Sequence, residues 1–148
     1  MKEFRILVPT DFSESSRFAL QMAGSFARSF ATEGLHPKIF LLHVQAPSVM
    51  ASADADEMGV LQPDQLWRHL QAAHLELEFD ASIPLEELFR TGEAPAQILR
   101  AADELRINLV VMGSHGRTGI AQLLLGSVAQ SVVRSAPCPV IVARLPKP

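Results

Sequence analysis

Hydrophobic residues fall along this chain in two patterns, short solid runs and longer stretches where they recur every third or fourth position. The solid runs are Phe4 to Val8, Lys38 to Val44, Leu109 to Met112 and Val140 to Ala143. Apolar runs without alternation predict strands covered on both faces. Between them lie helical stripes. Phe18, Met22, Phe26 and Phe30 repeat every four residues with Ala19, Ala23, Ala27 and Ala31 beside them, a broad apolar face expected to be core rather than a cofactor site. Leu66, Leu70 and Ala73 predict a helix from Pro63 to about Glu78, and Ile98, Ala101, Ala102 and Leu105 predict another. Val128, Ala129, Val132 and Val133 define the last one.

Breakers and caps punctuate these stretches. The first run stops at Pro9-Thr10-Asp11, Ser13 is a good N-cap, and Glu14 suits the positive end of a helix dipole. Gly34 ends that helix, Pro63 and Pro95 sit where helices begin, and Ala136-Pro137 terminates the last. Residues 45–62 read as a loop longer than most connections. Ser82 to Arg90 contains Pro84 and Glu86-Glu87, which fit an edge strand better than a central one. The resulting order is β-α-β-α-β-α-β-α-β, an α/β fold with a parallel sheet and helices on both faces. One domain is expected over residues 1–148.

Composition narrows the function classes. With 48% hydrophobic residues the chain has ample material for a core. A net charge of −3 and no basic run argue against nucleic acid as a partner. The single cysteine, Cys138, cannot form an internal disulfide and fits a reducing compartment. No membrane-length apolar segment or secretory h-region occurs, so a soluble cytoplasmic protein with no membrane partner is expected.

The candidate chemistry sits where Leu109 to Met112 run into Gly113-Ser114-His115-Gly116-Arg117-Thr118-Gly119, with Gly126-Ser127 following before the last helix. A buried strand, a glycine-rich loop and a helix start gather backbone amides around a phosphate. Glycine lets those amides approach phosphate oxygens without an intervening Cβ. The amides from Ser114 through Gly119 are expected to point inward, with Gly126 and Ser127 presenting helix N-terminal amides and a hydroxyl. Any single glycine is explained as well by a tight turn, but the set together favours a ligand. It is neither a Walker A loop nor the dinucleotide fingerprint.

These residues resemble the universal stress proteins, whose ATP-binding members carry G-x2-G-x9-G-[S/T]. Gly113, Gly116, Gly126 and Ser127 match it at every spacing. The resemblance runs from Pro9-Thr10-Asp11-Phe12-Ser13 through Leu41-Leu42-His43-Val44 to Gly126-Ser127-Val128 and Pro137-Cys138-Pro139-Val140. Asn108 departs from it, since the family usually has aspartate there, but it precedes the strand and lies away from the expected site. The resemblance implies a doubly wound five-stranded sheet of order 3-2-1-4-5, of the adenine nucleotide alpha hydrolase-like type, with ligand above strands one and four. It implies that Asp11 faces the sugar and base, that backbone atoms of Pro9 and Val44 contact adenosine, and that Gly113 to Gly119 with Gly126 to Val128 hold the phosphates. Thr10 and Met112 complete the expected binding set at the strand ends. Alone, Asp11 would be read as a helix cap. The family also implies a homodimer through Val140, Ile141 and Val142, an apolar run open to pairing if it lies at an edge.

Other polar residues add little. Arg117 is placed to pair with a terminal phosphate or to stay solvated. His115 is expected to contribute its backbone and His43 to be a satisfied interior group. His36, His69 and His74 show no zinc-ligand spacing, so no protein-ligated metal is assigned, and magnesium would arrive with the phosphates. No catalytic residue is assigned. The leading expectation is a stress-response module that binds ATP and acts through conformation or partners. The alternatives are a slow ATP hydrolase or phosphoryl or adenylyl transferase, which needs a positioned nucleophile, and a nucleotide-independent interaction protein.

Overall fold

A computed structural model describes residues 2–47, 82–115 and 125–146, together with Gln65, Arg68 and Ala72. Its elements are β1 (Glu3–Thr10), α1 (Glu14–Thr32), β2 (His36–Gln45), β3 (Leu85–Thr91), α2 (Ala94–Glu104), β4 (Leu109–Gly113), α3 (Ser127–Ser135) and β5 (Val140–Ala143). The strands form one sheet in the order β3-β2-β1-β4-β5. All four pairings are parallel. This is the expected doubly wound order, with β3 and β5 at the edges. Gln65, Arg68 and Ala72 are helical and exposed, as the outer face of the predicted 63–78 helix requires. The rest of that helix, including His69 and His74, and loop residues 48–62 lie outside the described residues.

The central stretches of β1, β2 and β4 are buried on both faces because each face carries helices, while Val140, Ile141 and Val142 of the edge strand β5 are half-buried. Ile6, Val8, Ile39, Leu41 and Val111 are fully buried and share one core with α1. Leu7, Leu42 and Val110 are fully buried in a second core with residues of α2 and α3. Burying each such side chain is worth ~1.5–3 kcal/mol. In α1 the innermost positions belong to Ala19, Ala23 and Ala27, while Phe18, Met22, Phe26 and Phe30 flank them half-buried. Small residues bring the helix close to the sheet, and the rings seal its sides. Phe30 packs on Phe4 with centroids 4.7 Å apart. Two expected face positions are corrected: Ala31 is exposed, and Val133 is 48% exposed on the outer side of α3.

The caps form as read. Ser13 accepts from the Ser16 amide at 3.2 Å, and Gly34 follows α1 at φ +85°, a left-handed position that suits glycine. Asn108 is structural. Its amide donates to Arg5 O and its Oδ1 accepts from the Arg5 amide, both at 2.8 Å, which joins the start of β4 to β1.

Pairing between β1 and β4 is brief and stops at Leu7↔Val110. The reason is local. The Arg5 amide and carbonyl both face the β4 side, and in a parallel strand alternate residues face the same neighbour, so Leu7 and Pro9 face it too. Pro9 has no N–H to offer there. Beyond that point β4 stays with β5 as far as Gly113↔Ala143, and the Ser114 amide continues onto Ala143 O at 3.0 Å. The β1–β4 ladder therefore ends before the strands do, and a cleft lies at their carboxyl ends.

Candidate functional site

The cleft is lined at the end of β1 by Pro9, Thr10 and Asp11, and at the end of β4 by Met112, Gly113, Ser114 and His115. Gly126, Ser127, Val128 and Ala129 at the start of α3 form another side. Leu42, Val44, Ala94 and Ile98 supply an apolar wall, and Ser16 reaches it from α1. Its volume of about 180 Å³ is several times the ~30 Å³ share of one liquid water, so it has room for an organic group.

Thr10, Asp11, Phe12 and Ser13 form a tightly bonded elbow. The Phe12 amide donates to Thr10 Oγ1 at 3.1 Å, and the Ser13 amide donates to Asp11 Oδ1 at 3.0 Å. Ser16 Oγ donates to Ser13 O at 2.9 Å, which uses its only proton. Thr10 Oγ1, 3.1 Å away, must then donate to Ser16 Oγ. Phe12 is left-handed at φ +65°, an outlier for a bulky residue. Such a conformation costs ~1–3 kcal/mol, and burial of the ring offsets it by a similar ~1.5–3 kcal/mol. Phe12 is 8% exposed and packs with the α1-side core, while Asp11 beside it lines the cleft.

On the β4 side, Gly113 is required by packing. A Cβ there would lie 2.8 Å from Ser15 C and 2.9 Å from Ser16 N, which are backbone atoms. The Gly126 amide donates to Ser114 O at 2.7 Å, tying the two glycine turns together. Ser114 is 2% exposed, and its Oγ is 2.9 Å from His115 Nδ1. Three amides expected to face a ligand are thus occupied. Ser114 N–H is bound to Ala143 O, Gly126 N–H to Ser114 O, and His115 N–H to Ser15 Oγ at 3.5 Å. The start of α3 is different. Gly126 makes no side-chain cap, and the first intrahelical bond is Gln130 N–H to Gly126 O. The amides of Ser127, Val128 and Ala129 therefore have no acceptor within the helix.

Every predicted binding residue that is described lines this cleft: Pro9, Thr10, Asp11, Val44, Met112, Gly113, Ser114, His115, Gly126, Ser127 and Val128. Gly116, Arg117, Thr118 and Gly119 lie outside the described residues. Ser16, Leu42, Ala94, Ile98 and Ala129 were not foreseen. Periodicity carried the signal for two of them: Leu42 shares a strand face with Val44, and Ala94 lies one helical turn before Ile98. His43 does not line the cleft; its Nδ1 lies 2.9 Å from Thr10 O. Cys138 is half-buried, and burial raises its thiol pKa above the ordinary range despite a backbone hydrogen bond at Val110 that lowers it. Among the described residues, no helix is long and apolar enough to cross a membrane.

A parallel sheet wound in both directions, with a cleft where the winding reverses, defines an α/β protein of the crevice-binding class. The sequence model of the universal stress protein family matches residues 4–144. A universal stress protein of Methanocaldococcus jannaschii is 31% identical over 148 residues, covering 97% of this chain and 83% of the relative. The solved structure of UspA from Lactobacillus plantarum is similar at TM-score 0.76 and 25% identity, covering 97% of this chain and 99% of that one. A universal stress protein crystallised in complex with cAMP is similar at TM-score 0.71 and 26% identity, covering 95% and 96%. This chain belongs to the universal stress protein family.

Proposed function

We propose that this protein binds an adenine nucleotide, ATP first among them, in the cleft between β1 and β4, and works as a stress-response regulatory module. The observation that carries this reading is the set of Ser127, Val128 and Ala129 amides at the mouth of α3, on the same cleft as Asp11. Backbone donors and the positive end of a helix dipole favour a phosphate there. The apolar wall of Leu42, Val44 and Ile98 suits a purine face, and Asp11 is placed to accept from a sugar hydroxyl. The cAMP complex of a relative supports the adenosine half of this reading. The match of Gly113, Gly116, Gly126 and Ser127 to the family's ATP-binding pattern supports the triphosphate half.

The remaining phosphate donors are assigned to Gly116, Arg117, Thr118 and Gly119. Asp11 is the one carboxylate among the described residues of the cleft. Magnesium would therefore travel on the phosphates and keep several waters. One universal stress domain spans the chain and acts in the cytoplasm. It pairs with a second copy through Val140, Ile141 and Val142 on the edge strand β5. Nucleotide occupancy acts on partners by favouring one conformation of the loop over another.

Isothermal titration with ATP and magnesium tests the reading, alongside analysis of nucleotide released by heating the purified protein. Saturable binding, abolished in Gly116→Val with the circular dichroism spectrum retained, is the expected result. No binding and no thermal shift would leave a nucleotide-independent interaction protein. Single-turnover hydrolysis above the buffer rate would make the protein an enzyme.

A further inference from the structure

His43 belongs to β2, yet its contacts are with the elbow that follows β1. Its Nδ1 lies 2.9 Å from the carbonyl oxygen of Thr10. A carbonyl only accepts, so Nδ1 carries the proton and the ring is the donor. The same ring lies against Phe12, with centroids 4.6 Å apart, and meets Phe89 edge-on at 6.3 Å. One side chain thus holds both neighbours of Asp11 in the sequence: Thr10 by a hydrogen bond and Phe12 by a tilted ring contact. Phe12 is the residue forced to φ +65°.

The alternation of the chain explains what this hold achieves. Thr10 and Phe12 are both buried, Phe12 in the core under α1, while Asp11 between them lines the cleft beside Thr10. If the left-handed turn at Phe12 relaxed, the peptide would rotate and Asp11 would turn with it. We propose that His43 is a positioning residue, a latch from the neighbouring strand that fixes the left-handed elbow and so aims Asp11 at the nucleoside. The proposal rests on the nucleotide-binding reading above, since Asp11 is its output. His43 itself does not line the cleft.

The test is a double-mutant cycle read by ATP titration of the full chain. His43→Phe keeps a ring beside Phe12 and removes the donor, while His43→Asn returns a donor near the Nδ1 position. Expected is an affinity about tenfold weaker in His43→Phe, with His43→Asn between it and the wild type. Against an Asp11→Ala background, His43→Phe should cost less than about twofold, because the group it positions is gone. A merely structural role would give the same loss in both backgrounds. Should His43→Phe not fold, His43→Gln, whose amide reaches the Nε2 position instead, carries the same expectation. Wild-type affinity in these variants, or equal losses in the two backgrounds, overturns the latch alone. A wild-type protein that binds no adenine nucleotide overturns the parent reading and the latch with it.

Discussion

Gly113 and Ser15 approach so closely that a Cβ on the glycine would sit 2.5 Å from Ser15 Oγ. This contact seats the start of α1 against the end of β4, the two segments that flank the cleft. The Ser15 hydroxyl could rotate away, but the backbone atoms behind it could not. Gly113→Ala should therefore destabilise the protein by ~1–3 kcal/mol, lowering the thermal midpoint by about 3–10 °C. Differential scanning calorimetry checks this, and an unchanged midpoint would mean that α1 is not seated as described.

Gly126 is under a different constraint. Its φ of −60° and ψ of 156° suit any L-residue, and as an N-cap it offers no side-chain acceptor. Gly126→Asp would place a carboxylate over the amides of Ser127, Val128 and Ala129. The helix should gain ~0.3–1 kcal/mol from the cap and dipole. A nucleotide phosphate would then meet a like charge and occupied donors, so ATP affinity should fall more than about tenfold. Calorimetry and titration on one preparation separate the two effects. ATP binding at wild-type strength would remove the phosphates from this helix.

The contrast between these glycines marks what the sequence could reveal. Strand and helix order was legible because burial on both faces leaves solid runs such as Leu109 to Met112, and burial on one side leaves stripes such as Ala19, Ala23 and Ala27. The cleft was legible because Gly113 and Gly126 bracket one strand end. Hidden were the facts set by distant partners. The Ser114 amide is taken by Ala143 and the His115 amide by Ser15, so two donors assigned to a ligand serve the fold instead. Gly113 answers to helix α1, which no local pattern reports. Phe12 gives no local warning of its left-handed turn, because its ring packs on His43 of β2, far away in the sequence.

Cys138 should react slowly. Burial raises its thiol pKa, so less thiolate is present at neutral pH than for a free cysteine of pKa about 8.5. Labelling with a disulfide reagent should lag a small thiol at pH 7 and quicken as pH rises past that value. The stability sign follows. With the folded pKa above the unfolded one, the contribution is fully present below the unfolded pKa and is lost as pH climbs through the folded pKa. Chemical denaturation from pH 7 to 10 should show stability falling, and Cys138→Ser should shrink that fall. Fast labelling at pH 7 would place the thiol in water.

The edge strand β5 allows the dimer to be tested without disturbing the fold. Val110 N–H binds Pro139 O, and Ser114 N–H binds Ala143 O. With Val110 opposite Val140 in register, Ile141 and Ala143 face β4, and the backbone groups of Val140 and Val142 face outward. Val142→Pro therefore removes an outward N–H while leaving the ladder to β4 in place, a position where edge strands tolerate proline. If two copies pair through β5, this variant should be monomeric by light scattering while keeping its circular dichroism and ATP binding. A wild type that is monomeric at all working concentrations, or a Val142→Pro variant still dimeric, would show that β5 is not the pairing surface.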